Sequence, residues 1–144
     1  MPHKSSADHR DADLMLKVYD LRREPVMRES RAAINAKFWP KSFAAVQAVL
    51  KPDNPLNAAW RQTSTYWEMV YGIARHGIVN PDFWIESNGE GLFLFAKVEP
   101  FLPKLREVNP RSFRNAEWMT TSCDTAKQVF AYYQGRVAQM TESK

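Results

Sequence analysis

The chain has 144 residues, 44% of them hydrophobic and 25% charged. That balance fits one soluble globular domain with its own core and excludes a mainly disordered or collagen-like chain. Its net charge of +4 is spread thinly: bases exceed acids by two in each of residues 1–37, 38–76 and 109–144 and fall two short in 77–108, so no basic block marks a nucleic-acid interface.

A single cysteine, Cys123, excludes an intramolecular disulfide framework and a multi-cysteine zinc site, and fits a reducing compartment. Residues 1–11 read as a polar, mobile lead-in to a single helical domain over 12–144. This start lacks the apolar core of a signal peptide, and His3 and His9 are tail histidines rather than a metal site. The longest apolar run, 91–96, is far short of the ~20 residues of a membrane span, and no lipid-anchor motif is present. The expectation is a cytoplasmic protein without a membrane partner.

Over residues 13–38, Leu14, Val18 and Leu21 share one helical face, while Met27, Ile34 and Phe38 lie well over 100° away from it. Pro25 between them predicts one helix kinked at 23–25, with two helices broken at Glu24 as the alternative. Arg22, Arg23, Arg28 and Arg31 crowd this stretch. They read either as a solvated face, with Glu24 paired to Arg28 four residues on, or as a site for an anion or acidic partner. Weak nucleic-acid association through the same face is a further alternative.

Trp39-Pro40 closes that helix, and Ser42 caps a short one over 43–50 that stops at Lys51-Pro52. A long central helix over 54–77 follows, with Asn54 as N-cap and Pro55 at its first position. Gly77 sits at the left-handed exit, and Ile78 against Ile73 completes a Schellman ending. One stripe holds Ala59, Thr63, Tyr66, Val70 and Ile73; its neighbour holds Trp60, Ser64, Trp67, Tyr71 and Ala74. Together they are wider than the stripe of an ordinary surface helix, so this helix packs against several others. Its third side carries Arg61, Thr65, Glu68, Gly72 and Arg75, and Gly72 implies close approach of another element. Met69 adds an apolar group opposite the stripes.

Asn80 caps the next short helix with Pro81 at its first position and Val79 and Trp84 as a hydrophobic staple, and Asn88-Gly89 ends it. Over 90–108 the series Leu94, Val98, Phe101, Leu105 and Val108 predicts one kinked helix running through Pro100 and Pro103. A short helix or turn over 112–119 leads to Ser122 as N-cap of the last helix, which buries Ala126, Val129 or Phe130, Tyr133, Val137 and Met140. The fold class is therefore all-α: a single-domain irregular helical bundle of four substantial helices and two or three short ones.

Tyr66-Trp67-Glu68-Met69, Arg75-His76-Gly77-Ile78, Pro81-Asp82-Phe83, Gly89-Glu90-Gly91-Leu92 and Lys97-Val98-Glu99-Pro100-Phe101 follow one another over about residues 60–107. This series resembles a family of small uncharacterised bacterial helical proteins, a domain of unknown function. The resemblance implies a helical fold and brings no known activity and no catalytic residue.

No phosphate-binding loop, dinucleotide fingerprint or nucleophile elbow is present, and no carboxylate has the Glu-x-x-His spacing of a di-iron bundle. No catalytic residue, metal ligand or cofactor is assigned. His76 reads as a residue favoured at a helix C-terminus, and Cys123, though near a helix start, lacks an identifiable His and Asn partner. Glu68 stands out, because a carboxylate beside Trp60, Trp67 and Tyr71 must be paired or raise its pKa. Arg61, Glu68, Arg75 and Tyr71 form the candidate cluster, as a structural ion pair between helices or as a pocket with a functional carboxylate. The expected function is a non-enzymatic module for a protein partner or a homo-oligomer; the alternative is a small-ligand binder or enzyme with a pocket near Glu68.

Overall fold

The computed structural model describes residues 3–143, which contain helices and connecting turns and no strand. Nine α-helices follow in order: α1 (His9–Arg22), α2 (Pro25–Lys37), α3 (Phe43–Val49), α4 (Asn57–Arg75), α5 (Pro81–Ser87), α6 (Glu90–Val98), α7 (Leu102–Val108), α8 (Arg114–Thr120) and α9 (Asp124–Ser143), with a 3₁₀ turn over Glu99–Phe101 between α6 and α7. The all-helical class is as read from sequence; the number of helices is larger, for two physical reasons.

The first break lies at Glu24, where two helices replace the expected kinked one. Glu24 leaves the helical conformation and its carboxylate accepts from Val26 N and Met27 N, with Pro25 at the first position of α2. Glu24 is thus committed to the backbone of α2, in place of the expected pairing with Arg28. The second break follows Val98. The 3₁₀ turn at Pro100 advances the chain by about three residues per turn rather than 3.6 and separates α6 from α7. Leu94, Val98 and Leu105 are buried as expected, Leu102 is buried beside a half-buried Phe101, and Val108, expected on the same stripe, is 63% exposed.

α4 is the middle of the molecule. It packs against α2 on one side and α8 on the other, with α5 and α6 closing over its aromatic stripes. Its start lies three residues beyond the expected Asn54. The Asn54 side chain accepts from Leu56 N and its carbonyl from Asn57 N, so Asn54-Pro55 shapes a turn rather than capping the helix. The other end is as expected: Gly77 has φ 78°, Gly77 N–H donates to Ala74 O and Ile78 N–H to Ile73 O, the bond pair of a Schellman motif. Tyr71 is fully buried and its hydroxyl donates to Asn88 O, 2.7 Å away. α6 crosses so closely that a Cβ on Gly91 would fall 2.5 Å from that hydroxyl and 2.7 Å from Trp67.

α9 covers α6, α5 and α8. Its first turn is closed by Lys127 N–H donating to Cys123 O, while the Ser122 hydroxyl donates to Met119 O, so Ser122 ends α8 rather than capping α9. α1 begins at His9, inside the stretch read as a lead-in. Asp8 caps it, and the fully buried carboxylate of Asp11 accepts from Lys4 Nζ and from Asn80 N.

Candidate functional site

The polar third of α4 faces α8. Phe113, immediately before α8, has φ 57°, an uncommon left-handed conformation for an aromatic residue, and it supplies no side-chain cap. Glu68 takes that role from another helix. Its Oε2 accepts from Asn115 N at 3.0 Å and its Oε1 from Ala116 N at 2.8 Å. These are two of the N–H groups that the start of a helix leaves without an intrahelical partner.

Asn115 is held three ways. Its Nδ2 donates to Glu68 O, its Oδ1 accepts from Arg75 Nη1 at 3.1 Å, and a Cβ on Gly72 would sit 2.8 Å from its Nδ2. Glu68, Gly72 and Arg75 therefore meet one element, the first turn of α8. Burial raises the Glu68 carboxyl above its ordinary value of 4.5, against the pull of the two backbone N–H groups and of Arg75 and Arg106.

The segment between α7 and α8 is fastened as well. Arg106 Nε donates to Ser112 O and its Nη2 pairs with Glu117 at 3.1 Å, while Asn109 accepts from both Arg111 N and Ser112 N. Phe113 packs edge-on against Trp60, with ring centroids 5.7 Å apart.

Between this corner and α4 lies a cavity of about 340 Å³. Leu50, Trp60, Leu105, Val108 and Phe113 give it apolar walls, and Ser64, Thr65, Glu68, Asn109, Arg111 and Ser112 border it. On the other side of Glu68 a wider, polar cleft is lined by Met69, Arg75, His76, Arg111, Arg114 and Asn115. Glu68 and Arg111 line both, so the two spaces are neighbours.

The remaining sequence candidates lie elsewhere. Arg61 is exposed and its Nε donates to Asn57 Oδ1 one turn back. Tyr71 belongs to the core below α5 and α6. The four arginines near Glu24 divide. Arg22 turns inward, with Nη1 donating to Asn88 Oδ1 at 2.7 Å, Nη2 to Ser87 O, and its guanidinium 5.5 Å from the Trp67 ring. Arg31 forms a fork with Glu90, both N···O distances 2.8 Å, and donates to Arg22 O. Arg23 and Arg28 are exposed, Arg23 lying over Tyr19.

Lys97 was not singled out by sequence. It is 1% exposed, donates to Ile34 O at 3.0 Å and Asn35 O at 3.5 Å in the last turn of α2, and its Nζ lies 3.9 Å from the Trp39 ring centroid and 4.7 Å from that of Phe93. Burial draws it down to about 7 from 10.5, against the pull of Glu90. The signal was available: α6 reads apolar on every side around this residue, and a helix apolar all round is a buried one.

Among the described residues no three His, Cys, Asp or Glu side chains are grouped to hold a metal ion, and no helix is long and apolar enough to cross a membrane. No curated protein and no solved structure matches the chain. A family model does match residues 7–123, from the cap of α1 to the start of α9, a span that contains Glu68, Asn115 and the cavity between them and exceeds the 60–107 of the sequence resemblance. The chain belongs to the family described as a domain of unknown function, DUF4760.

Proposed function

We propose that the domain is a non-catalytic binding module that takes a small, mainly apolar molecule in the cavity between α4 and the α7–α8 corner. The cavity carries this reading. Its volume of about 340 Å³ falls in the range of ~300–1,000 Å³ usual for ligand sites, with apolar walls and a few polar groups at the edge. Catalysis has little support there. The Thr65 hydroxyl donates to Arg61 O within its own helix, and both Glu68 oxygens are engaged by backbone amides. A nucleophile needs a base within hydrogen-bond reach, and no histidine or lysine lines the cavity.

Ser64 lines the cavity from α4, so a Ser64→Phe substitution fills it. Decan-1-ol, titrated calorimetrically, is expected to bind the native chain and to bind Ser64→Phe at least about tenfold more weakly, a loss of ~1.4 kcal/mol. Far-UV circular dichroism checks that the variant keeps its helices. Equal binding by both proteins would remove the reading.

A protein partner or self-association draws support from different residues. Leu16, Tyr19 and Leu21 on α1 and Val26 at the start of α2 are exposed, with Leu16 at 65%. Sedimentation velocity over a hundredfold concentration range tests self-association. A concentration-dependent shift that Leu16→Glu abolishes supports it, and a constant monomer rules it out.

A further inference from the structure

The cleft beside the cavity has an unusual charge balance. Arg75, Arg111 and Arg114 line it, with His76 at the end of α4. None of the three arginines forms an ion pair with a described residue; the arginines that do are Arg31 and Arg106. The single carboxylate on the cleft wall, Glu68, has each oxygen occupied by a backbone N–H of α8. Each anchored guanidinium is held by one bond that leaves other donors unspent: Arg75 Nη1 to Asn115 Oδ1, Arg114 Nε to Pro110 O. Arg75 Nε is in addition buried without an acceptor, so this guanidinium is kept in place at a cost.

Arg111 joins this cleft to the apolar cavity, since it lines both. Resting on the cavity reading above, we infer that the ligand is a free single-chain amphiphile with an oxyanion at one end. Its apolar body occupies the cavity against Trp60, Leu105 and Phe113, and its carboxylate or phosphate lies at the mouth between Arg111 and Arg114. Guanidinium groups match such oxyanions because their planar donors can bind two oxygens at once, and they stay charged at any physiological pH.

The test compares decanoate, decyl phosphate and decan-1-ol at low salt on the native chain and on the Arg111→Gln/Arg114→Gln double variant. Both arginines are exposed, so the fold does not depend on them. The native chain is expected to prefer at least one of the two anions over the alcohol by about tenfold or more. In the double variant that ratio falls to near one, and raising the salt concentration reduces it in the native chain. The better anion identifies the head group. Binding of the alcohol with no preference for either anion overturns the oxyanion inference and leaves the cavity reading standing. A preference that survives in the double variant also overturns it. Failure of all three compounds to bind overturns both.

Discussion

Replacing Glu68 with alanine is expected to destabilise the domain by about 2–3 kcal/mol, as read from urea unfolding at pH 7. Among the described residues Glu68 is the only side-chain acceptor at the start of α8, and the change leaves the N–H groups of Asn115 and Ala116 without it. A lost N-cap costs ~0.5–2 kcal/mol, and hydrogen bonds to a charged group are worth ~1.5–3 kcal/mol. Phe113 cannot substitute, because its backbone is left-handed and its ring is buried against Trp60.

The pH dependence has a definite sign. Because burial raises the Glu68 carboxyl in the folded protein, its stabilisation is fully present below about pH 4.5 and declines as pH rises through the raised value. The penalty of Glu68→Ala is therefore expected to be larger at pH 4 than at pH 7. A penalty below about 0.5 kcal/mol at both pH values would show that α8 does not depend on this cap.

The second large effect belongs to Lys97. A lysine held near 7 in the fold and near 10.5 in the unfolded chain makes the unfolded state bind more protons between those values. Stability therefore rises with pH across that window and is unaffected by this group below it. Lys97→Met puts an unbranched apolar side chain one atom shorter in the same place and removes the titrating group. The stability of the native chain relative to Lys97→Met is expected to rise by roughly 3–5 kcal/mol from pH 6.5 to pH 10.5, at ~1.4 kcal/mol for each tenfold in proton affinity. At pH 6 the methionine variant is expected to match or exceed the native chain, since burying an ammonium costs more than two carbonyl bonds return. Stability curves that run parallel across this range would mean that the carbonyls of α2 and the rings of Trp39 and Phe93 hold the charge fully.

What sequence disclosed was local. The Gly77-Ile78 ending, the Asn80 cap whose Oδ1 accepts from Phe83 N, and the two buried stripes of α4 each follow from residues within a few positions of one another. The break at Glu24 was open between two readings, because a proline bending the middle of one helix and a proline at a new first position leave the same pattern. The break after Val98 was missed because Pro100 tightens the next turn from 3.6 to about three residues, and a change of six tenths in residues per turn leaves no mark on composition.

The site was legible by half. Glu68, Gly72 and Arg75 stood out on one line of α4, and Gly72 correctly implied close approach. Their common partner did not, because Glu68 binds backbone N–H groups 47 and 48 residues away, and a backbone group has no side-chain signature. Arg61 shares the line yet is spent on Asn57 within its own helix. Arg22 and Arg31, read as part of a solvated face or of a site for an anion or acidic partner, are struts to Asn88 and Glu90, contacts that span 59 to 66 residues of sequence.

The measurement that bears most directly on the cavity reading is an amide chemical-shift map of the ¹⁵N-labelled chain during titration with decan-1-ol. Saturable shifts confined to α4 around Trp60, Ser64 and Glu68 and to residues 105–113 are the predicted result. Shifts centred on α1 and the start of α2, or no saturable shift at all, would contradict it.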